Sequence, residues 1–162
     1  MKLNKKNNKV AIIMGSQSDY PIMKDAEKIL KTLKINFEVL TVSAHRTPKR
    51  MFEFAENAAK KGFAVIIAGA GGAAHLPGMV SSLATVPVIG VPIESKKLKG
   101  LDSLLSIVQM PRGCPTATMA INGSFNAGLY AASIIGTFDT KIRSNLEKWK
   151  RIQTQSIKKK PK

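Results

Sequence analysis

Strand-like apolar segments alternate with amphipathic segments along most of this chain. Strands are predicted at residues 10–14, 37–42, 64–68, 88–91 and 116–121. Hydrophobic residues recur at helical spacing within 23–33, 51–59, 101–108 and 127–135, which predicts the intervening helices. The alternation predicts a single domain with a parallel sheet and helices on both faces, because right-handed crossovers place the helices there.

A further amphipathic helix is predicted beyond Gly136. Ile142, Leu146, Trp149 and Ile152 share one face of this helix, and lysines and arginines occupy the other. The apolar face could pack on its own domain or on a neighbouring subunit, and the pattern alone favours neither.

The single domain, 1–162, is expected to have four parts. These are a basic N-terminal arm at 1–8, an α/β core at 9–138, a C-terminal helix at 139–155 and a disordered basic tail at 156–162.

Composition narrows the possible locations and partners. Hydrophobic residues make up 44% of the 162 residues, as in ordinary globular proteins. No apolar run approaches the length of about 20 residues that crosses a bilayer, and no signal peptide is visible. The single Cys114 cannot form an internal disulfide, which fits a reducing compartment. We therefore expect a cytoplasmic protein without a membrane partner.

The net charge of +16 suggests nucleic-acid binding, but its distribution argues against it. Residues 1–9 and 141–162 together carry +12 of that charge, so the body of the chain is only weakly basic. Lysine outnumbers arginine, whereas bidentate recognition of phosphate and guanine favours arginine. The basic tail also lacks the interleaved aromatic residues of a stacking platform. We expect no nucleic-acid partner.

Three loops that follow predicted strands carry the candidate chemistry, since ligands bind at the carboxyl ends of an open parallel sheet. The first loop contains Ser16, Ser18 and Asp19. Serine hydroxyls and helix-start amides can bind phosphate oxygens, but the same residues are preferred helix caps. Asp19 would repel a phosphate and is better suited to a ribose hydroxyl. The pattern leaves both interpretations open.

The second loop contains Ser43, His45 and Arg46, and Thr47-Pro48 then opens a helix in the cap-then-proline order. A cation at a helix start opposes the helix dipole, so Arg46 is predicted to face an external anion, most simply a phosphate. Histidine can both give and take a proton near neutral pH, which makes His45 a candidate catalyst.

The third loop, residues 69–78, is rich in glycine and alanine and contains His75. Residues 69–74 formally match the pattern GxGxxA of a dinucleotide-binding fingerprint. Glu94 follows at about the spacing, roughly 20 residues, at which that fingerprint has its acidic residue. The match is weak because the loop follows the third strand, and because Pro77-Gly78 is expected to interrupt the helix that the motif should open. Small residues such as Gly71 suit a flat ring laid against backbone. His75 has a binding or a structural role, and we favour binding.

No metal-binding motif and no nucleophilic triad motif is visible in the sequence. With these two kinds of site excluded, the chemistry that the candidate residues predict is proton transfer by one histidine in a phosphate-binding crevice.

Four motifs occur together in a fixed order: Gly15-Ser16-Gln17-Ser18-Asp19, Ser43-Ala44-His45-Arg46-Thr47-Pro48, the run at 68–79, and Gln109-Met110-Pro111-Arg112-Gly113. Over about residues 9–155 the chain resembles the class I N5-carboxyaminoimidazole ribonucleotide mutases of bacterial purine synthesis. The resemblance implies a flavodoxin-like three-layer α/β/α sandwich with an extra C-terminal helix. It also implies a homo-octamer in which that helix packs on a neighbour.

The activity implied by the resemblance is rearrangement of N5-carboxyaminoimidazole ribonucleotide to 4-carboxy-5-aminoimidazole ribonucleotide, with no metal or organic cofactor. His45 is then the catalytic residue that carries the proton. The implied substrate-binding residues are Ser16, Ser18, Asp19, Ser43, Arg46, Gly71 and His75.

The chain departs from the family pattern at residues 121–127, where the turn before the last core helix is shorter than usual. This difference affects the part of the site wall near Asn126. Two alternatives stand beside the mutase. One is a carboxylase of aminoimidazole ribonucleotide that uses free carbon dioxide. The other is a nucleotide-binding module without catalysis, against which the presence of both His45 and Arg46 argues.

Overall fold

The sheet of this protein is parallel and five-stranded, as seen in a computed structural model that describes residues 8–160. The strands are β1 Lys9–Met14, β2 Phe37–Thr41, β3 Phe63–Gly71, β4 Val88–Ile93 and β5 Ala117–Thr118. Their order across the sheet is β2-β1-β3-β4-β5. This is the flavodoxin-like order, and the predicted fold class is confirmed.

Six helices are present within residues 8–160. They are α1 Tyr20–Thr32, α2 Pro48–Asn57, α3 Leu76–Ser81, α4 Leu101–Val108, α5 Ser124–Gly136 and α6 Thr140–Ser156. Within this described part of the chain, none is long and apolar enough to cross a membrane.

Two apolar layers hold the sandwich together, one on each face of the sheet. On one face, α1, α5 and α6 cover inward side chains such as Ile12 and Ile67. On the other, α2, α3 and α4 cover Ile13 and Ile66. Successive side chains of β1 and β3 point to opposite faces, so strands buried on both faces appear as continuous apolar runs.

The helix α3 corrects one expectation from the sequence. Pro77-Gly78 does not interrupt a helix, because α3 starts at Leu76 and proline falls in its first turn. Proline is tolerated there, since the first backbone N–H groups have no partner within the helix.

The fifth strand is shorter than the predicted segment 116–121. Only Ala117 and Thr118 pair with β4, opposite Ile89 and Gly90. The chain then turns at Asn122, which has a φ of 60°. Between these points the N–H groups of Met119 and Asn122 still donate to the carbonyls of Gly90 and Pro92, so the rest of the predicted segment follows β4 without forming a regular ladder.

The C-terminal helix α6 packs on its own domain. Ile142 and Leu146 are 6% and 7% exposed within the core, and Trp149 packs against the same cluster. The Asn145 side-chain amide donates to the carbonyl of Leu33 at 2.9 Å. The expectation that this apolar face packs on a neighbour is therefore wrong for Ile142 and Leu146, and it stays a prediction for the partly buried Trp149. Ile152, in contrast, is 56% exposed.

The predicted terminal segments are only partly described. The basic arm at 1–8 lies outside the described residues except for Asn8, as do the last two residues of the basic tail. The division of the chain at 8, 138 and 155 stays a prediction.

Candidate functional site

A cavity of about 340 Å³ lies at the carboxyl ends of the first three strands in the chain. The parallel register brings these ends together, since Met14 pairs with both Thr41 and Gly69. All eight site residues predicted from the sequence line the cavity: Ser16, Ser18, Asp19, Ser43, His45, Arg46, Gly71 and His75. Gly15, Ala44, Ala70, Ala73 and Leu76 complete its wall.

The first loop forms a capping box around the short 3-10 turn Gln17–Asp19. The Ser16 hydroxyl oxygen accepts the N–H of Ser18 at 3.3 Å, and the Asp19 carboxylate accepts the N–H of Ser16 at 3.1 Å. The capping interpretation is thus confirmed, and the capping residues also face the cavity. The cap fixes the backbone of this loop, and the cavity wall also holds the positive charge of Arg46.

Burial is the main influence on the carboxyl group of Asp19, and it raises the pKa of this group above the usual value of 3.8. The N–H of Ser16, the positive charge of Arg46 and the hydroxyl of Ser18 all act to lower this pKa without cancelling the effect of burial. The environment therefore disfavours the charged form of Asp19 more than water does.

The second loop is held tight by reciprocal bonds between Ser43 and Thr47. The Thr47 hydroxyl donates to the carbonyl of Ser43 at 3.0 Å and accepts the N–H of Ser43 at 3.0 Å. The Ser43 hydroxyl accepts the N–H of Arg46 at 3.1 Å. This turn presents the side chains of His45 and Arg46 to the cavity, and α2 begins directly after Thr47.

The guanidinium of Arg46 bridges the first two loops. Its Nη2 donates to the carbonyl of Gly15 at 2.7 Å, and its Nε donates to the Ser43 hydroxyl at 3.4 Å. The charge is therefore held at the mouth of the cavity rather than at the end of a freely rotating side chain. Contact with a phosphate stays a prediction.

The two histidines of the chain meet in this cavity, although 30 positions separate them in the sequence. The Nε2 atom of His45 and the Nδ1 atom of His75 are 2.8 Å apart. Their rings are nearly perpendicular, at 85°, with centroids 4.9 Å apart. One of the two nitrogens donates and the other accepts, so the protonation of one ring constrains the tautomer of the other.

Gly72 turns the third loop with a φ of 68°, a conformation that favours glycine. Its N–H donates to the hydroxyl of Ser103 at 2.8 Å, and Ser103 lies in α4 outside the predicted site. Sequence reasoning missed Ser103, which the sequence shows only as one of two serines in α4.

The dinucleotide fingerprint is not realised at the third loop. Glu94 accepts a hydrogen bond from the side chain of Asn122 at 3.2 Å and does not line the cavity. Asn126, near the shortened turn, is exposed on α5 and does not line the cavity either. Within residues 8–160, no three His, Cys, Asp or Glu side chains are grouped as metal ligands would be.

A family model described as AIR carboxylase matches residues 9–156. This chain belongs to the AIR carboxylase family. The resemblance found in the sequence is confirmed, and so is the prediction that the chain is an enzyme.

Several known proteins are similar to this chain over most of its length. The N5-carboxyaminoimidazole ribonucleotide mutase of Thermotoga maritima is 58% identical over 142 residues, which cover 88% of this chain and 83% of that protein. The enzyme of the same name from Brucella melitensis is 53% identical over 154 residues, covering 94% and 95%. A crystal structure of PurE from Treponema denticola superposes with a TM-score of 0.82 at 26% identity, covering 91% and 92% of the two chains.

Proposed function

We propose that this chain converts N5-carboxyaminoimidazole ribonucleotide to 4-carboxy-5-aminoimidazole ribonucleotide in purine biosynthesis. The observation that carries the proposal is the hydrogen-bonded pair of His45 and His75 in a cavity that also holds the charge of Arg46. Relatives that are 50–58% identical carry the name of this mutase, which supports the choice of substrate.

The chemistry requires one group that gives a proton and then takes one back. The carbamate nitrogen gains a proton as its bond to the carboxyl carbon breaks and carbon dioxide leaves. The freed carbon dioxide then bonds to carbon 4 of the ring, and that carbon loses its proton. We assign both transfers to His45, which ends the cycle in the state in which it began. His75 holds the imidazole of His45 in place and selects its tautomer.

Charge and hydrogen-bonding capacity suggest how the ribonucleotide lies in the cavity. The guanidinium of Arg46, held by the carbonyl of Gly15, is suited to the phosphate because guanidinium–phosphate contacts are charge-assisted. The Ser16 hydroxyl, which accepts the hydroxyl proton of Ser18 at 3.0 Å and keeps its own, adds a further donor in the cavity. The Asp19 carboxylate then accepts from a ribose hydroxyl, since a second anion next to the phosphate would be repelled.

The aminoimidazole ring is assigned to the wall formed by the third loop. Gly71 lines the cavity and has no side chain, so its backbone forms the surface there. Ala70 and Ala73 flank it with small side chains. A flat ring can approach such a wall closely, which keeps the released carbon dioxide beside the carbon atom that it must reach.

We also propose that the enzyme is a homo-octamer in the cytoplasm, as the family resemblance implies. Large apolar side chains on and just before α4 support self-association, because such residues are rarely exposed together on a monomer. They are Leu98, Leu101, Leu105 and Val108, each about half exposed. Light scattering of the purified protein tests the size: a monomer would contradict the assembly.

Turnover at low bicarbonate tests the proposed reaction. We expect conversion of N5-carboxyaminoimidazole ribonucleotide, and no conversion of aminoimidazole ribonucleotide until bicarbonate is added in excess. The opposite preference would identify a carboxylase that uses free carbon dioxide. Binding of the ribonucleotide with no turnover of either substrate would identify a nucleotide-binding module.

A further inference from the structure

The helix α4 reaches the third loop through a serine that is completely buried. Ser103 is 0% exposed, and its hydroxyl donates to the carbonyl of Ile93 at 2.6 Å. Because this bond uses the only hydroxyl proton, a lone pair is left to accept the N–H of Gly72 at 2.8 Å. The hydroxyl therefore has one orientation, fixed between the end of β4 and the glycine turn.

A second serine of α4 lies beside the carbonyl group of Gly72. The Ser106 hydroxyl lies 3.4 Å from the carbonyl oxygen of Gly72 and 2.7 Å from the carbonyl oxygen of Asp102. The first of these contacts is the weaker because of its length. The single proton of Ser106 lies mainly in the shorter bond to Asp102, so Gly72 is bonded to α4 through its N–H and only contacts Ser106 through its carbonyl.

From Gly72 the bonding continues along the backbone to the catalytic pair. The carbonyl of Gly72 accepts the N–H of Ala74 at 2.8 Å, and the carbonyl of Ala73 accepts the N–H of His75 at 2.9 Å. The imidazole of His75 then meets His45 at 2.8 Å. A displacement of Gly72 would therefore shift His75, because two short hydrogen-bonded turns connect the two residues.

We propose that Ser103, assisted by Ser106, is a positioning residue that fixes the imidazole of His75 against His45 through the Gly72 turn. Neither serine lines the cavity, so each acts through the loop and not on the substrate. The kinetic consequence rests on the proposed function. A misplacement of about 1 Å at a catalytic group can cost about 100-fold in rate, so small shifts of this loop matter.

Ser103→Ala removes the hydroxyl without adding volume, and Ser124→Ala is a matched control. Ser124 is also 0% exposed, and its hydroxyl donates to a carbonyl, that of Ile22 at 2.5 Å, but it does not bond to the third loop. For Ser103→Ala we expect kcat to fall by about 10- to 100-fold while KM changes little, because the substrate contacts remain. For Ser124→Ala we expect both kinetic constants to stay close to those of the wild type.

Nitrogen-15 spectra of the imidazoles give a readout that a general loss of stability would not change. The chain has only two histidines, so an untagged protein shows one pair of ring signals for each. We expect one dominant tautomer at His45 and at His75 in the wild type and in Ser124→Ala. In Ser103→Ala we expect averaged tautomers, because the bond between the rings is loosened. If Ser103→Ala fails to fold, the less buried Ser106→Ala is expected to show the same changes to a smaller extent.

Two results would overturn the positioning role. One is an equal loss of kcat in the variants at positions 103 and 124, and the other is an unchanged imidazole spectrum in both α4 variants. A failure of the proposed function is separate from these results, because it would appear as absent turnover in the wild type. The imidazole spectra would still test the positioning of His75 in that case.

Discussion

The Nε2 atom of His45 lies 2.8 Å from the Nδ1 atom of His75, within hydrogen-bond distance. A proton on Nε2 of His45 requires an unprotonated Nδ1 on His75, and the converse also holds. The tautomers of the two rings are therefore coupled. The proposed mechanism gives the two histidines separate roles, one transferring the proton and one orienting it, so it expects them to respond differently to substitution.

His45→Asn is expected to lower kcat by at least the 10²- to 10⁴-fold that general acid–base catalysis typically contributes. Ribonucleotide binding should stay within a few-fold of the wild type, because Arg46 keeps its bonds to Gly15 and Ser43. Steady-state kinetics and calorimetric binding measure the two effects.

His75→Asn serves as the comparison for His45→Asn. It keeps the proposed proton carrier and removes its partner, so we expect a smaller loss of kcat. Activity of His45→Asn within tenfold of the wild type would remove His45 from the central role. A larger loss at position 75 than at position 45 would exchange the two assignments.

Arg46→Ala is expected to weaken binding of the ribonucleotide by about 1.5–3 kcal/mol, the value of a hydrogen bond to a charged group. The corresponding nucleoside, which lacks the phosphate, should bind equally to variant and wild type. Titration calorimetry with both ligands measures the difference.

Arg50→Ala is a matched control for the loss of Arg46. Arg50 is also exposed and also donates to a backbone carbonyl, that of Thr41 at 3.2 Å, but it does not line the cavity. Its loss should leave the binding of both ligands unchanged. If Arg46→Ala weakened nucleotide and nucleoside binding to the same degree, Arg46 would not contact the phosphate.

Local patterns in the sequence were sufficient to predict most of the fold. The strands β1 and β3 are continuous apolar runs because helices cover both faces, and α1 and α2 show helical spacing because one face of each is buried. Parallel topology then brings three loops to one edge, so residues that line the cavity could be predicted as candidates before their contacts were visible. The contact between His45 and His75 could not be predicted, since it depends on side-chain directions across 30 positions.

The parts that sequence patterns missed depend on long-range packing. The apolar face of α6 has the same spacing whether it packs on its own chain or on another chain. Only its contacts with α5 and with the end of α1 show that most of it packs on its own chain. Ser103 resembles an ordinary helical serine until β4 and Gly72 are brought to it by the fold. The helix α3 was missed because proline and glycine were treated as breakers, although the proline falls in the first turn.

Asp19→Asn is expected to stabilise the folded protein near neutral pH. The pKa of Asp19 is raised in the folded state, chiefly by burial, so the folded state binds this proton more tightly than the unfolded chain. The carboxylate therefore costs stability above its usual pKa, and the cost disappears as the pH falls and the group becomes protonated in both states. Asparagine avoids the cost, and its side-chain oxygen can still accept the N–H of Ser16.

Urea unfolding near neutral pH and near pH 4 measures this effect, because the usual pKa of a carboxyl group lies near about 4. The stability gain of Asp19→Asn should be largest near neutral pH and should shrink towards acid. The same variant should bind the ribonucleotide more weakly, because a charged acceptor for the ribose is lost. A destabilised variant near neutral pH would show that the hydrogen bond from Ser16 and the positive charge of Arg46 together outweigh burial.

Leu146→Ala and Ile152→Ala compare two positions of the same apolar face of α6. Leu146 is 7% exposed in the core, so its truncation should lower the free energy of unfolding by about 2–5 kcal/mol, the usual cost of a buried leucine. Ile152 is 56% exposed, so its truncation should change that free energy by no more than about 0.5 kcal/mol. Urea unfolding at several protein concentrations measures both values. A loss at Ile152 comparable to that at Leu146, and dependent on protein concentration, would show that another subunit buries the end of the helix.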